Sequence, residues 1–415
     1  MSQAELAAGR FSKEYVSQIE RGKARPSSET VEWLAGRLTT DREFLEHGVS
    51  RADAERLDDE LLDAEHLVEE RRYEEALRAF RIASRLPGSD APGPSLRLLK
   101  GEAWARIRTG ELDDAMRLLE EAAAASVAAG STDLDRAEVV FEVGVVRYQQ
   151  SRIADAILLF DNALELTERI DVPSDRLRSD IFHWRSRCHR RNRDWVAAEE
   201  DISRALQLAE GSSDPRRTAD ALFQASLVAQ RQGSWVLARS QAERARDLFA
   251  SLGDRATVAR LLNNLAGLNH LLGNDARAVT LLEEAFEIFV DLDLAVDAGY
   301  VCSSLAEIRL ERGELAAAEA QARKALDLLR GRVDHLQEIG TAQLTLGRAL
   351  AAQGSLDEGE TSIADAEATF ERAQSIGHRS SAWVARGDVE SSRGNDALAA
   401  GLYRRAAQAL REPDL

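Results

Sequence analysis

Cysteine is scarce in this sequence, and its scarcity excludes several classes of protein. The 415 residues include two cysteines, Cys188 and Cys302, which lie far apart. Two distant cysteines do not form a disulfide framework, so we expect a protein of the reducing cytoplasm. His183, Cys188 and His189 are close in sequence, but a fourth ligand is missing. We therefore expect neither a metal site nor a cofactor.

Proline, aromatic residues and long apolar runs are also scarce. The sequence has seven prolines, and aromatic residues make up 5% of it. Together with the many Ala, Leu, Arg and Glu residues, this composition favours a largely helical protein. There is no run of about 18 apolar residues and no apolar signal segment at the start, so we expect no membrane span and no secretion.

Motifs of the common catalytic sites are absent as well. The sequence has no G-x-x-x-x-G-K-[ST], H-E-x-x-H or G-x-S-x-G, and its carboxylates do not cluster with histidine. We therefore expect a protein that is not an enzyme.

The charge is strongly negative but unevenly distributed. The net charge of −18 excludes a protein that coats nucleic acid with its whole surface. Between residues 10 and 25, however, five basic residues stand against two acidic ones. If the protein contacts phosphate, we expect the contact here.

The first 48 residues show the capping and apolar pattern of short helices. Ser2 and Glu5 predict a capping box for a first helix, and Ser12 predicts the cap of a second. A third helix is expected from residue 27 or 28, and a fourth over residues 40–46.

The stretch QAELAAGRFSKEYVSQIERGKARP, residues 3–26, resembles the helix-turn-helix of the Cro/C1-type (XRE) family. In that family the second helix of the motif enters the major groove of DNA. The resemblance covers about residues 1–48 and implies base and phosphate contacts. The implied residues are Gln3, Ser12, Lys13, Glu14, Ser17, Gln18, Arg21, Lys23 and Arg25.

Two features limit this reading. The family carries a further helix before the matching stretch, which here is preceded by Met1 and Ser2, so we expect an N-terminally incomplete domain. The charges also have an ordinary alternative role. Lys13 and Glu14 could be solvated, and Arg21 could pair with a neighbouring glutamate.

A second pattern recurs through the rest of the chain, combining large apolar residues with alanines three or four positions away. Successive copies are 39 to 42 residues apart, and several follow a glycine. A period near 40 with small residues at helix crossings predicts stacked helical hairpins. The clearest copies are Tyr73-Ala76-Phe80-Ala83, Leu112-Ala115-Leu119-Ala122, Ile153-Ala156-Phe160-Ala163 and Trp195-Ala198-Ile202-Ala205.

This pattern resembles the tetratricopeptide repeat (TPR), lengthened from its usual period. The resemblance implies a right-handed superhelical solenoid of about nine helical hairpins. We therefore predict an all-α fold in which residues 1–48 form the helix-turn-helix domain, 49–56 a linker and 57–415 the TPR solenoid.

The TPR resemblance also implies a ligand groove lined by the first helix of each hairpin. Arginine suits a carboxylate, and asparagine can bond a peptide backbone. The alternatives are that the basic helix around residue 187 balances acidic neighbours and that Asn264 is structural. The groove residues implied are Tyr148, His183, Arg187, Arg190, Gln224, Gln230, Asn263, Asn264 and His270.

Two functions fit these features. The order of modules resembles the peptide-responsive (RRNPP-type) transcription regulators, which implies a double-stranded DNA operator and a peptide or protein ligand. The alternative is a TPR interaction scaffold with a vestigial helix-turn-helix. The apolar residues of the last helix, Leu398, Leu402, Tyr403 and Leu410, suit a homodimer contact or a frayed end.

Overall fold

A computed structural model describes residues 1–7, 9–127, 132–170 and 174–411. Over this range the chain is all-α, with helices α1 to α22 and a single 3-10 turn at Val333–His335, and this confirms the predicted fold class. None of the helices described is both long and apolar enough to cross a membrane. The chain forms two compact units, unit 1 (Met1–Arg193) and unit 2 (Asp194–Leu415).

Unit 1 begins with four short helices whose starts follow the predicted caps. Ser2 and Glu5 exchange two bonds, as a capping box requires: the Ser2 N–H donates to the Glu5 carboxylate at 2.6 Å, and the Glu5 N–H donates to Ser2 Oγ at 3.2 Å. Ser12 Oγ accepts the N–H of Tyr15 at 3.1 Å. The helices are α1 (Gln3–Ala7), α2 (Lys13–Glu20), α3 (Ser28–Leu38) and α4 (Arg42–His47).

The longer helices of unit 1 pack against their neighbours in the chain. Helix α5 corrects the expected linker, because it starts at Arg51, where Ser50 Oγ accepts the N–H of Asp53 at 3.1 Å. The charged residues 51–56 thus extend the helix that buries Leu57 and Leu61. These helices are α5 (Arg51–Glu69), α6 (Tyr73–Ala83), α7 (Pro92–Thr109), α8 (Leu112–Ala125), α9 (Asp133–Gln149), α10 (Ile153–Glu168) and α11 (Asp175–Arg191).

Unit 2 repeats one helix pair with a nearly constant period. Helices α13, α15 and α17 begin at residues 215, 255 and 295, a spacing of 40, and each has 17 residues. The unit comprises α12 (Trp195–Gly211), α13 (Pro215–Arg231), α14 (Trp235–Ser251), α15 (Arg255–Leu271), α16 (Asp275–Asp291), α17 (Ala295–Glu311), α18 (Leu315–Leu328), α19 (Leu336–Ala352), α20 (Leu356–Arg372), α21 (Ile376–Ser392) and α22 (Asp396–Ala409).

The hairpins are held together by alanines that face large apolar side chains. Ala156 and Ala163 on α10 are fully buried, as is Phe160 between them. The ring of Phe160 lies so close to α9 that a Cβ on Gly144 would come within 2.7 Å of its Cε1 atom. Small residues at these crossings therefore let the two helix axes approach, as the repeat pattern predicts.

The turns inside the hairpins need a left-handed residue. Gly233 and Gly273, predicted at turns, both have φ near +78°, which glycine adopts without the steric cost of a Cβ. Arg71, Ser151 and Arg193 take the same conformation with φ of 62°, 62° and 60°. The turn geometry is thus kept even where the repeat lacks its glycine.

We predict opposite effects for alanine at two helical glycines. Gly144→Ala should lower the free energy of unfolding by about 1–3 kcal/mol, because the new methyl group overlaps Phe160. Gly267→Ala should raise it by up to about 1 kcal/mol through helix propensity, since no atom lies within 4 Å of its Cβ position. Urea unfolding followed by circular dichroism measures both, and equal effects would contradict the packing described.

Candidate functional site

The candidate DNA-contact residues lie around α2. Ser12 caps the helix, and its first turn carries Lys13 and Glu14, both exposed. The opposite side of α2 is anchored by Val16, which is 2% exposed. Ser17 is half-buried, and the remaining candidates beyond it, Gln18, Arg21, Lys23 and Arg25, are exposed. Helix α2 thus has a buried side and a polar side.

Gln3 and the nearby arginines are positioned by specific contacts. Gln3 Nε2 donates to Glu20 Oε2 at 2.6 Å, which ties the start of α1 to the end of α2. Glu29 pairs with Arg10 at 2.5 Å. Within the described part of the chain, Arg21 makes no ion pair, so the alternative that it is neutralised by Glu20 or Glu29 finds no support there.

The candidate groove residues occupy equivalent places in successive first helices. Counted from the first residue of each helix, all nine fall at positions 9, 10, 13 or 16. Positions 9, 13 and 16 share one face of a helix, and position 10 borders it. Position 9 is His183 and Asn263; position 10 is Gln224 and Asn264; position 13 is Arg187; position 16 is Tyr148, Arg190, Gln230 and His270.

In unit 2 this face carries polar atoms that have no hydrogen-bond partner. They are Gln224 Nε2 on α13, Asn263 Oδ1 and Asn264 Oδ1 on α15, and Ser303 Oγ on α17, and each is unbonded among the residues that the structure describes. Ser303 is position 9 of α17 and was missed by sequence reasoning. A buried polar atom without a partner costs about 1–3 kcal/mol. We call these four residues the polar ladder.

The surroundings of the polar ladder leave room beside it. Gly267 is position 13 of α15, and no atom lies within 4 Å of the place where its Cβ would be. Asn264 Nδ2 donates to Gln230 Oε1 at 3.2 Å, which links α15 to α13. His270 is held on both sides, with Nδ1 2.8 Å from Asp275 and Nε2 3.0 Å from Glu311. Gln230 and His270 therefore lie on the predicted face but bond within the protein.

In unit 1 the same face carries aromatic rings and arginines. The guanidinium of Arg187 lies 5.0 Å from the ring centroid of Tyr148 and 4.2 Å from that of Trp184. Tyr148 and Trp184 themselves meet edge to face at 5.4 Å. Arg190 is half-buried at the end of α11. Sequence reasoning missed Trp184, although it is position 10 of its helix.

His183 lies beside these arginines and is neutral at ordinary pH. The protein atoms around this half-buried ring, and then the charges of Arg187, Arg108 and Arg190, lower the pKa of His183 to about 3. Arg108, near the end of α7, was not among the predicted groove residues.

A second titratable group on this face is Glu142, position 10 of α9. It is 9% exposed, and its Oε2 has no partner among the described residues. Burial raises the pKa of the Glu142 carboxyl well above its usual range, and the charge of Lys100 offsets this in part. Lys100 itself pairs with Glu138 at 2.5 Å and Asp135 at 3.3 Å.

The described residues offer little for metal or thiol chemistry. No group of three His, Cys, Asp or Glu side chains in those ranges is placed to hold a metal ion. Cys188 and Cys302 are both buried, and burial raises the pKa of the Cys302 thiol to about 11.

Comparison with known families identifies the repeats. Models of the tetratricopeptide repeat match residues 61–133, 100–173 and 218–291. Both units therefore carry tetratricopeptide repeats. No curated protein sequence matches the chain at a significant level.

Solved structures share the fold over most of the chain. The apo form of RapI has a TM-score of 0.65 at 15% identity, covering 86% of this chain and 97% of RapI. A Rap protein complexed with competence and sporulation factor has a TM-score of 0.63 at 15% identity, covering 86% and 98%. The apo quorum sensor NprR from B. thuringiensis has a TM-score of 0.65 at 12% identity, covering 86% and 99%. At these identities the likeness shows the fold alone.

We predict that the His183 ring stays neutral in the folded chain between pH 8 and pH 5. In the urea-unfolded chain the ring should titrate near a pKa of about 6.5. Between the folded and unfolded pKa values the unfolded chain binds more protons, so His183 contributes a free energy of unfolding that falls as the pH drops below about 6.5. Histidine ¹³C NMR follows the ring directly.

A charge variant tests the cause. Arg187→Gln removes the largest positive charge acting on the ring, so the pKa of His183 should rise. Arg81→Gln, an exposed arginine on α6, is the matched control and should leave it unchanged. A folded-state pKa near 6.5 in the unaltered protein would contradict the arrangement described.

Proposed function

We propose that this protein is a DNA-binding transcription regulator whose tetratricopeptide repeats sense a peptide or protein ligand. The ligand half of the proposal depends on one observation, the polar ladder of unit 2. The DNA half depends on the exposed polar side of α2 and its sequence resemblance.

The polar ladder suits an extended peptide. Gln224, Asn263 and Asn264 carry amide groups, and an amide both donates and accepts hydrogen bonds, as a peptide backbone does. Their helices are spaced by one repeat, so a ligand crossing α13, α15 and α17 meets polar atoms at each step. Binding would satisfy atoms that the protein alone leaves unbonded, which makes their burial cost part of the binding free energy.

The fold comparisons are consistent with this role. A Rap protein of the same fold was crystallised with competence and sporulation factor, and NprR is named a quorum sensor. These facts concern those proteins, but they show that repeats of this fold can hold a signalling ligand. The remaining predicted groove residues, on α9 and α11 of unit 1, extend the proposed ligand surface.

The DNA half of the proposal assigns the start of α2 to the major groove. Lys13 and Ser17 lie one turn apart on its polar side, at reach of base edges in the helix-turn-helix geometry. Lys23 and Arg25 follow the helix and are exposed, where they suit phosphate contacts. The acidic remainder of the chain would be repelled by DNA, which confines the contact to this segment.

We predict that the polar ladder determines peptide affinity. A library of short linear peptides is screened against the full chain by fluorescence anisotropy, and the tightest binder is titrated into variants. Asn263→Ala with Asn264→Ala should weaken binding by about tenfold or more, because each lost amide bond costs about 1 kcal/mol. Asn162→Ala, an exposed asparagine on α10, is the control and should leave affinity unchanged.

The same variants should remain folded. Removing amides that have no partner costs the folded state little, so thermal unfolding should stay within a few degrees of the parent protein. Unchanged peptide affinity in the double variant would show that the ligand binds elsewhere.

We predict two classes of DNA-binding variant. With duplex DNA from upstream of its own gene, Lys13→Ala with Ser17→Ala should relax sequence preference at about 1–3 kcal/mol per lost base contact. Lys23→Ala with Arg25→Ala should weaken binding to all sequences alike and reduce the salt slope by about 1 per phosphate contact. Gel-shift titrations at several salt concentrations measure both effects.

The alternative function gives a different result. A TPR interaction scaffold with a vestigial helix-turn-helix would give no salt-dependent, sequence-selective shift, and the two pairs of variants would behave as the parent protein does. Arg81→Ala on α6 controls for the general loss of a positive charge.

A further inference from the structure

We propose that unit 1 contains an anion-binding site, built from Arg187, Arg108 and Arg191 around the rings of Tyr148 and Trp184, which takes a carboxylate or phosphate group. The inference deepens the proposed function, because Arg187 and Tyr148 belong to the proposed ligand surface. It names the chemistry that a ligand must present there.

Arg187 is the centre of the site. Its guanidinium is placed between two aromatic rings, 4.2 Å from the centroid of Trp184 and 5.0 Å from that of Tyr148. Stacking holds the planar group by its faces and leaves the N–H edge free to donate. Within the described residues Arg187 has no carboxylate at ion-pair distance, so these donors remain available.

Two further arginines are held in the same way. Arg191 lies 5.3 Å from the Tyr148 centroid and bonds Tyr148 O and Ser151 Oγ at 3.4 Å and 3.2 Å. Arg108 lies 5.6 Å from the Tyr73 centroid, and its Nε donates to Tyr73 Oη at 3.2 Å. Both contacts are to neutral groups. Neither guanidinium is balanced by a carboxylate in the described ranges.

This arrangement is unusual within the same protein. The net charge is −18, and elsewhere in unit 1 the basic groups on the first helices are neutralised. Arg97 pairs with Asp58 and Glu65 at 2.6 Å and 2.9 Å, and Lys100 pairs with Glu138. An acidic chain that leaves three neighbouring arginines on neutral partners concentrates positive potential at the ends of α7, α9 and α11.

His183 reports on that potential and adds a neutral polar group. Its ring lies 6.3 Å from the ring of Trp184, on the same helix as Arg187. The charges of Arg187 and Arg108 both act on it and, after burial, help to lower its pKa. An anion seated among these arginines would reverse part of that effect and raise the pKa of His183.

The chemistry of the donors defines the ligand. A guanidinium offers two parallel N–H groups that fit the oxygens of a carboxylate or a phosphate. A peptide carboxylate and a phosphoryl group share this feature, so both are candidates. Chloride has no paired oxygens and should be a poor substitute.

The test uses the full chain labelled with 5-fluorotryptophan and small anions. The ¹⁹F resonance of Trp184, assigned through Trp184→Phe, is followed during titration with inorganic phosphate and, separately, with acetate. Sodium chloride keeps the ionic strength constant. We expect a saturable shift, and the anion that saturates at the lower concentration identifies the group as phosphoryl or carboxylate.

Variants locate the site. Arg187→Gln and Arg108→Gln should each weaken anion binding by about tenfold or more, since a charge-assisted bond is lost. Arg187→Lys should weaken it less, because it keeps the charge but not the paired donors. Arg81→Gln is the charge-matched control and should bind as the parent does. Circular dichroism confirms that each variant is folded.

Two results would overturn the proposal. One is a linear response that chloride reproduces, which would mean charge screening without a site. The other is saturable binding that persists in both Arg187→Gln and Arg108→Gln. Because the probes are small anions, a failure of peptide binding on the polar ladder leaves this test unaffected, and the two failures can be told apart.

Discussion

The structure depends on the close approach of paired helices through alanine. Ala156 and Ala163 lie fully buried beside Phe160, and the ring of Phe160 reaches across to Gly144 on the facing helix. Where one member of a helix pair is small and the other fills the gap, sliding by a residue would create both an overlap and a cavity, each costing a few kcal/mol. This packing fixes the register of each hairpin. A fixed register then decides which side chains share a face.

The register converts a sequence period into a surface. Helices of 17 residues that start 40 residues apart place position 9 of one repeat beside position 9 of the next. Asn263 and Ser303 are related in this way, and so are Gln224 and Asn264. Residues without any direct contact to a ligand, such as the crossing alanines, therefore determine the geometry of the face that would bind one. In unit 1 the same rule places His183 and Arg187 on one side of α11.

The sequence predicted the fold well because its signals are local and repeated. Caps such as Ser2 and Ser12, and turn residues such as Gly233, each report on a few neighbouring residues. The site was harder, because its properties depend on pairing across repeats. The sequence could place His270 on the face, but it could not show that Asp275 and Glu311 hold its ring. The expected linker was wrong for a related reason, since the Ser50 cap was overlooked.

The two candidate sites use one physical device in two forms. A rigid scaffold can keep groups in states that a flexible chain would relieve, because relief would require moving well-packed helices. In unit 2 the stored feature is hydrogen-bonding capacity, on Asn263, Asn264 and Ser303. In unit 1 it is positive charge, on arginines that rest against aromatic rings instead of carboxylates. A ligand that supplies the missing partner recovers the cost that folding left in place. Repeat proteins suit this role, because stability comes from the alanine crossings and leaves the first-helix face open to polar groups that the fold does not need.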